Sequence, residues 1–183
     1  MQKPLEKFLK YLRSQKALLY VKKDAVLLDI GCGEDFWFLK RISWQIRQGF
    51  GIDVKIKKAN WRNLKIIRHD LNASDLPFDD NYFDCVTALA VLEHVASAKK
   101  SLAQIYRVLK PGGNLIMTVP ATKAKPILRI LAGLNLLDRK NINQHKRYFE
   151  KKDLQQILTG AGFKNTKHSY FQLGFNNFIH AKK

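Results

Sequence analysis

The chain has 183 residues, 46% of them apolar and 11% aromatic, enough to bury the core of one ordinary domain and too ordered a composition for a disordered segment. Lys and Arg number 33 against 15 Asp and Glu, a formal charge of +18, and such a surface attracts phosphates in nucleic acid, lipid head groups or sugar carriers. The two cysteines, Cys32 and Cys85, make neither a disulfide framework nor a zinc site, so no metal is expected and a reducing cytoplasm fits.

Residues 1–24 read as a basic helical segment, with Leu5, Phe8, Leu9, Leu12 and Leu19 near helical spacing and lysines between them. The segment has neither the apolar core nor the cleavage site of a secretory signal, and no later run is apolar and long enough to span a bilayer. Ala25 to Ile30 then reads as a buried strand and Glu34 to Gln48 as a helix. Strands follow at Phe50 to Asp53, Leu64 to Arg68 and Phe83 to Leu89. Ser97 to Leu109 is an amphipathic helix that stops at Lys110-Pro111-Gly112-Gly113, residues that cannot continue it, and Asn114 to Val119 is again a strand.

Within Pro126 to Leu137, the residues Ile127, Ile130, Leu131, Leu134 and Leu137 share one helical face, bordered by Lys123, Lys125, Arg129, Arg139 and Lys140. Two readings stand: a lid packed over an acceptor pocket, or an interfacial helix that meets lipid. Leu154, Ile157, Leu158 and Ala161 form a last helical face. Phe163 to Tyr170 and Phe175 to Ala181 are two closing strands joined near Gly174. With no linker or repeat, residues 1–183 read as a single domain, with a variable lid at 121–147. The alternation of strands and helices predicts an α/β fold, a parallel sheet covered on both faces.

The first strand runs into Leu28-Asp29-Ile30-Gly31-Cys32-Gly33-Glu34-Asp35. Glycines between a strand and a helix let the backbone approach a ligand closely. A nicotinamide fingerprint would place a third glycine where Phe36 stands, and a P-loop would need a Gly-Lys-Ser/Thr that is absent. Asp29, at the carboxyl end of the strand, suits a cationic ligand group better than a pyrophosphate. Asp53 closes the second strand, where an acid can accept both hydroxyls of a ribose, and Asp70 brings a third carboxylate to the same edge. The fourth strand leads to Leu92-Glu93-His94. Of these, His94 could take a proton near neutral pH or help orient the pocket, and His145 could serve a hydroxyl acceptor as base or anchor its loop.

In this order, Leu28-Asp29-Ile30-Gly31-Cys32-Gly33, Gly51-Ile52-Asp53, Asp70 with Leu76-Pro77-Phe78, Phe83-Asp84-Cys85-Val86, Leu92-Glu93-His94 and Arg107-Val108-Leu109-Lys110-Pro111-Gly112-Gly113 resemble the class I S-adenosylmethionine-dependent methyltransferases. The branch is the type 11, or ubiquinone/menaquinone-biosynthesis-like, one. The likeness extends through His145-Lys146-Arg147-Tyr148-Phe149 to Ala161-Gly162-Phe163 and covers most of residues 25–163. It implies a Rossmann-like three-layer sandwich around a seven-stranded, mostly parallel sheet in the order 3-2-1-4-5-7-6, with strand 7 antiparallel.

The resemblance also assigns roles. Asp29 and the backbone of Gly31, Cys32 and Gly33 would face the methionine part of S-adenosyl-L-methionine, and S-adenosyl-L-homocysteine would be the product. Asp53 would hold the ribose, Asp70 and the Leu71 backbone the adenine edge, and Ala88 and Leu89 would line the methionine end. The chain departs from the pattern at Asp35, where the family usually has a third glycine. The sulfonium activates the methyl group, so the protein has to hold both partners at attack distance, and a base is needed only if the acceptor must lose a proton.

These features predict methyl transfer to a small-molecule, lipid-linked or envelope-glycan acceptor, in the cytoplasm or peripherally at the inner face of the membrane. The alternatives are a nucleic-acid methyltransferase, which the charge favours, and a non-catalytic binding protein of the same fold, which Asp35 favours.

Overall fold

The computed structural model describes residues 3–144 and 146–183, with the side chains of 140 and 141 left aside. Among these residues eight strands form one sheet: β1 (Val26–Ile30), β2 (Gln48–Asp53), β3 (Ala59–Trp61), β4 (Leu64–Arg68), β5 (Phe83–Leu89), β6 (Leu109–Pro120), β7 (Lys164–Phe171) and β8 (Asn176–Lys182). The order is β3-β4-β2-β1-β5-β6-β8-β7. Strands β4, β2, β1, β5 and β6 run parallel, and β8 inserts antiparallel between β6 and β7.

Without β3 this is the expected 3-2-1-4-5-7-6 arrangement. The extra strand is a three-residue antiparallel edge on β4, turned through Arg62 at φ +52°. Its pattern, half-buried and exposed residues in alternation, is too short to register as a strand by periodicity.

Among the described residues there are six helices: α1 (Pro4–Leu18), α2 (Trp37–Ile42), α3 (Ala98–Val108), α4 (Ala124–Gly133), α5 (Arg139–Asn143) and α6 (Lys151–Gly160). Strand alternation sorts the core into two layers. Leu27, Cys85, Ile116 and Phe178 pack against Ala17 of α1 and Phe38, Leu39 and Ile42 of α2. Leu28, Val86, Met117 and Ile179 pack on the other side against Leu102 and Ile105 of α3 and Leu154 and Leu158 of α6. Ser97 caps α3 by accepting from Lys100 N–H, and the turn after α3 is held by Lys110 Nζ on Asp84 Oδ1 at 2.7 Å.

The helix expected over Glu34 to Gln48 is much shorter. Phe36, at φ +34°, breaks the backbone before Trp37, and the chain leaves the helix after Ile42 to reach β2. Of the aromatic residues at this helix start, Phe38 enters the core, while Trp37 faces Tyr11 of α1 at a centroid distance of 6.4 Å.

Helix α1 crosses above β5 and β6 and is tied at its N-terminal end. Lys3 Nζ donates to Asn135 Oδ1 at 2.9 Å, and Asp138 N–H donates to Glu6 Oε1 at 2.9 Å. Further along, Gln172 of the β7–β8 turn donates to Leu9 O at 3.0 Å. The basic N-terminal segment and the segment after β6 therefore meet on the carboxyl side of the sheet.

Candidate functional site

The site grows from the ends of β1, β2, β4 and β5. Gly31 and Gly33 adopt φ +71° and +76°, and a Cβ on Gly31 would stand 2.6 Å from Val91 Cγ2. The turn is locked onto β2: Gly31 N–H and Cys32 N–H both donate to Ile52 O, at 2.8 and 3.2 Å, and Gly33 N–H donates to Asp53 Oδ2 at 3.0 Å. Its donors are thus used internally. Carbonyl oxygens and open backbone are what the turn offers, and they suit a cation better than an anion.

Asp29 lies beneath the turn, 3% exposed, and accepts from Thr87 Oγ1 at 2.6 Å. Burial raises its carboxyl to about 7, against the opposing Thr87 hydrogen bond and the charge of Lys10. Asp53 spends one lone pair of each oxygen on backbone donors, Gly33 N–H and Lys55 N–H at 2.9 Å, and keeps the others. Asp70 forms a turn with Asn72, whose N–H donates to its Oδ1 at 2.8 Å, and Leu71 packs on the core beside it. Ala88 is buried and Leu89 half-buried at the end of β5. Cys32 is buried beside the turn, and its Sγ lies 3.6 Å from Gly33 O.

Asp35 is exposed but stays beside the glycines, its Oδ1 3.4 Å from where a Gly33 Cβ would be, and it accepts from Lys10 Nζ of α1 at 3.0 Å. Lys10 itself sits over the turn, 3.9 Å from where a Gly33 Cβ would be. Lys10 and Thr87 were not singled out by the sequence. Lys10 is one of several lysines on an amphipathic helix, and Thr87 reads as one more strand residue. Ala90 carries a sequence-silent feature of another kind. It holds φ +61° without being glycine, fixed by its N–H donating to Thr118 O at 2.9 Å.

The fourth strand end holds the groups able to move a proton. Glu93 is 1% exposed, its Oε2 has no hydrogen-bond partner among the described residues, and burial raises its carboxyl to about 7 while Arg13 of α1 partly offsets this. His94 is half-buried, and its ring is hydrogen bonded to the backbone of Gln144. Burial, then the charges of Lys55 and Lys146, lower its pKa and keep the imidazole neutral. His94 therefore anchors the segment after α5 to the loop after β5. His145 lies outside the described residues.

Among known proteins, the family described as a methyltransferase domain matches residues 1–168. The ubiquinone/menaquinone biosynthesis C-methyltransferase UbiE of Erwinia tasmaniensis is 31% identical over 135 residues, covering 63% of this chain and 54% of that protein. The demethylmenaquinone methyltransferase of Staphylococcus epidermidis is 30% identical over 175 residues, covering 87% of this chain and 71% of that one. This chain thus spans about half the length of the Erwinia relative. A solved SAM-dependent methyltransferase from Archaeoglobus fulgidus superposes with a TM-score of 0.73 at 19% identity, over 96% of this chain and 93% of its own. One from Mesorhizobium loti gives 0.70 at 14% identity, over 92% and 95%. At these identities the solved structures establish the shared fold.

Proposed function

Because this chain belongs to the methyltransferase domain family, whose methyl donor is S-adenosylmethionine, we propose that it transfers that methyl group to a small acceptor with an apolar tail. The carrying observation is the set of three carboxylates, Asp29, Asp53 and Asp70, at neighbouring strand ends around a turn whose N–H groups are already bonded.

The donor set fits the cofactor. Asp29 is a buried carboxylate with Thr87 as its hydrogen-bond partner, the complement of an ammonium. The free lone pairs of Asp53 suit a ribose diol, and Asp70 with the Leu71 backbone suits the adenine edge. Ala88 and Leu89 give an apolar wall beside the methionine end. The bound cofactor supplies a methyl group made electrophilic by its sulfonium. The chain's own work is to orient the acceptor in line and exclude water, which α1 assists by lying over β5 and β6. Where the acceptor must lose a proton, Glu93 Oε2 is a buried acceptor at that edge, unpartnered among the described residues.

Two observations support a tailed acceptor. On α4 and the turn after it, Ile130 is 61% and Leu134 66% exposed, an apolar row bordered by cations and tied through Asn135 and Asp138 to α1. The curated relatives are named for quinone methylation. Of the two readings of this helix, the exposure supports the interfacial one over a lid packed on the core.

The test has two parts. S-adenosylhomocysteine should bind in a calorimetric titration, and labelled methyl should pass from S-adenosylmethionine to a prenylated acceptor in detergent, offered both as a quinol and as a prenyl phosphate sugar. A folded protein that binds no S-adenosylhomocysteine overturns the whole reading. Binding with transfer to neither acceptor overturns the tailed-acceptor part.

A further inference from the structure

Beyond the cofactor edge, the carboxyl side of the sheet holds a cavity of about 390 Å³. One wall is the turn after β6 and the first half or so of α4, with Thr122, Lys125 and Arg129. The other is the extended segment with Lys146, Arg147 and Tyr148. This second wall is fixed by its backbone: Lys146 N–H donates to Glu93 O at 2.8 Å and Phe149 N–H to Pro120 O at 3.3 Å. The Arg147 guanidinium donates to Ala96 O at 3.3 Å, which fixes its position against the loop after β5.

Among the described residues four cations line the cavity, and no carboxylate does. The four ion pairs among the described residues all lie elsewhere, at Lys10–Asp35, Lys100–Asp75, Arg107–Asp80 and Lys110–Asp84. Lys125 and Arg129 stand four residues apart, on one face of α4, so both reach the same space. Like charges gathered without a counter-charge are unfavourable by themselves, and a bound anion reverses the sign of the whole arrangement. Arginine adds a planar fork that matches phosphate oxygens in pairs. The volume suits a small ligand rather than a polymer backbone.

The cavity borders Glu93, the buried acid at the end of the fourth parallel strand, through Lys146. Ile127 and Ile130 lie on α4 as well, 37% and 61% exposed, so one helix presents basic and apolar residues together.

We propose that this cavity binds a phosphate or diphosphate group of the methyl acceptor, through Lys125, Arg129, Lys146 and Arg147, and so places the acceptor beside Glu93. The proposal rests on the methyltransferase reading. It names the acceptor as an anionic phosphate ester and so separates it from a neutral quinol.

The probe is inorganic pyrophosphate, titrated at constant ionic strength, with S-adenosylhomocysteine titrated separately on the same protein. Pyrophosphate should bind, and Arg129→Ala with Lys146→Ala should weaken it by roughly tenfold or more. The same double variant should leave S-adenosylhomocysteine affinity unchanged, which shows that the variant is folded. Lys22→Ala with Lys23→Ala removes equal charge from an exposed site before β1 and should leave pyrophosphate affinity unchanged. Equal weakening by both double variants assigns the binding to diffuse surface charge and overturns the proposal, as does the absence of binding at ~10 mM pyrophosphate. Pyrophosphate binding without S-adenosylhomocysteine binding overturns the methyltransferase reading and leaves the anion site standing. Farnesyl diphosphate then separates the sources. Tighter binding than pyrophosphate identifies a lipid-linked phosphate, and equal binding a soluble one.

Discussion

Asp53 does two jobs that pull on one substitution. Asp53→Ala should weaken S-adenosylhomocysteine roughly a hundredfold, the loss of two hydrogen bonds to a charged group. The sequence alone predicts little change in stability. The structure adds a cost, because the carboxylate also receives Gly33 N–H and Lys55 N–H, and about 1–3 kcal/mol should be lost in urea titration.

Asp29 and Glu93 make the pH dependence unusual. Both hold their protons in the folded chain to about pH 7, whereas an unfolded carboxyl releases its proton near ~4. Between those limits the folded state binds more protons, so stability falls as pH rises from about 4 to 7 and levels off above. Urea midpoints at pH 5 and 7.5 should show the decline, and Asp29→Asn should reduce it. A cofactor ammonium favours the ionised form of Asp29. Cofactor affinity should therefore rise with pH up to about 7, with proton uptake by buffer visible in calorimetry at pH 6. An affinity flat across this range would remove Asp29 from the cofactor site.

At the scale of elements, α4 buries only Ala124 and Ala132 beside the site, and it ends at Gly133, around which a Cβ would meet nothing. Gly133→Ala should stabilise the protein by roughly 0.5–1 kcal/mol, because alanine loses less backbone entropy in a helix. Thermal unfolding measures this directly. Most other elements were legible for a simple reason: buried parallel strands are apolar runs, so Val26–Ile30 and Phe83–Leu89 carry their boundaries in composition. The overlong α2 was a different case. Apolar periodicity continues through Trp44 and Ile46, yet Trp44 is 81% exposed and Ile46 packs from a turn, so the period outlived the helix.

The site divides along the same line. The carboxylates Asp29, Asp53 and Asp70 stand next to strand ends that the sequence marks. Lys10, Arg13 and the basic cavity depend on where α1 and α4 dock, and docking leaves no local signature. Glu93 was visible beside His94, but its buried and unpartnered state is a property of packing.

For the whole molecule, the formal charge of +18 already counts every acid, so ion pairs such as Lys10–Asp35 and Lys110–Asp84 leave it unreduced. Self-repulsion of this kind is screened by salt. The melting temperature should rise between low and physiological ionic strength, and a fall would show that specific pairs outweigh the net field. The sheet order carries a further consequence for synthesis. Strand β8 occupies an interior position, bonded to β6 from Asn114–Lys182 through Pro120–Asn176. As the chain emerges from the ribosome, β6 therefore waits with a bare edge through sixty or so residues of growth before its partner arrives. That edge includes the consecutive apolar residues Leu115, Ile116 and Met117, the kind of segment that pairs with whatever strand comes first. The interval between β6 and β8 is the point at which nascent chains of this protein would be most dependent on chaperones.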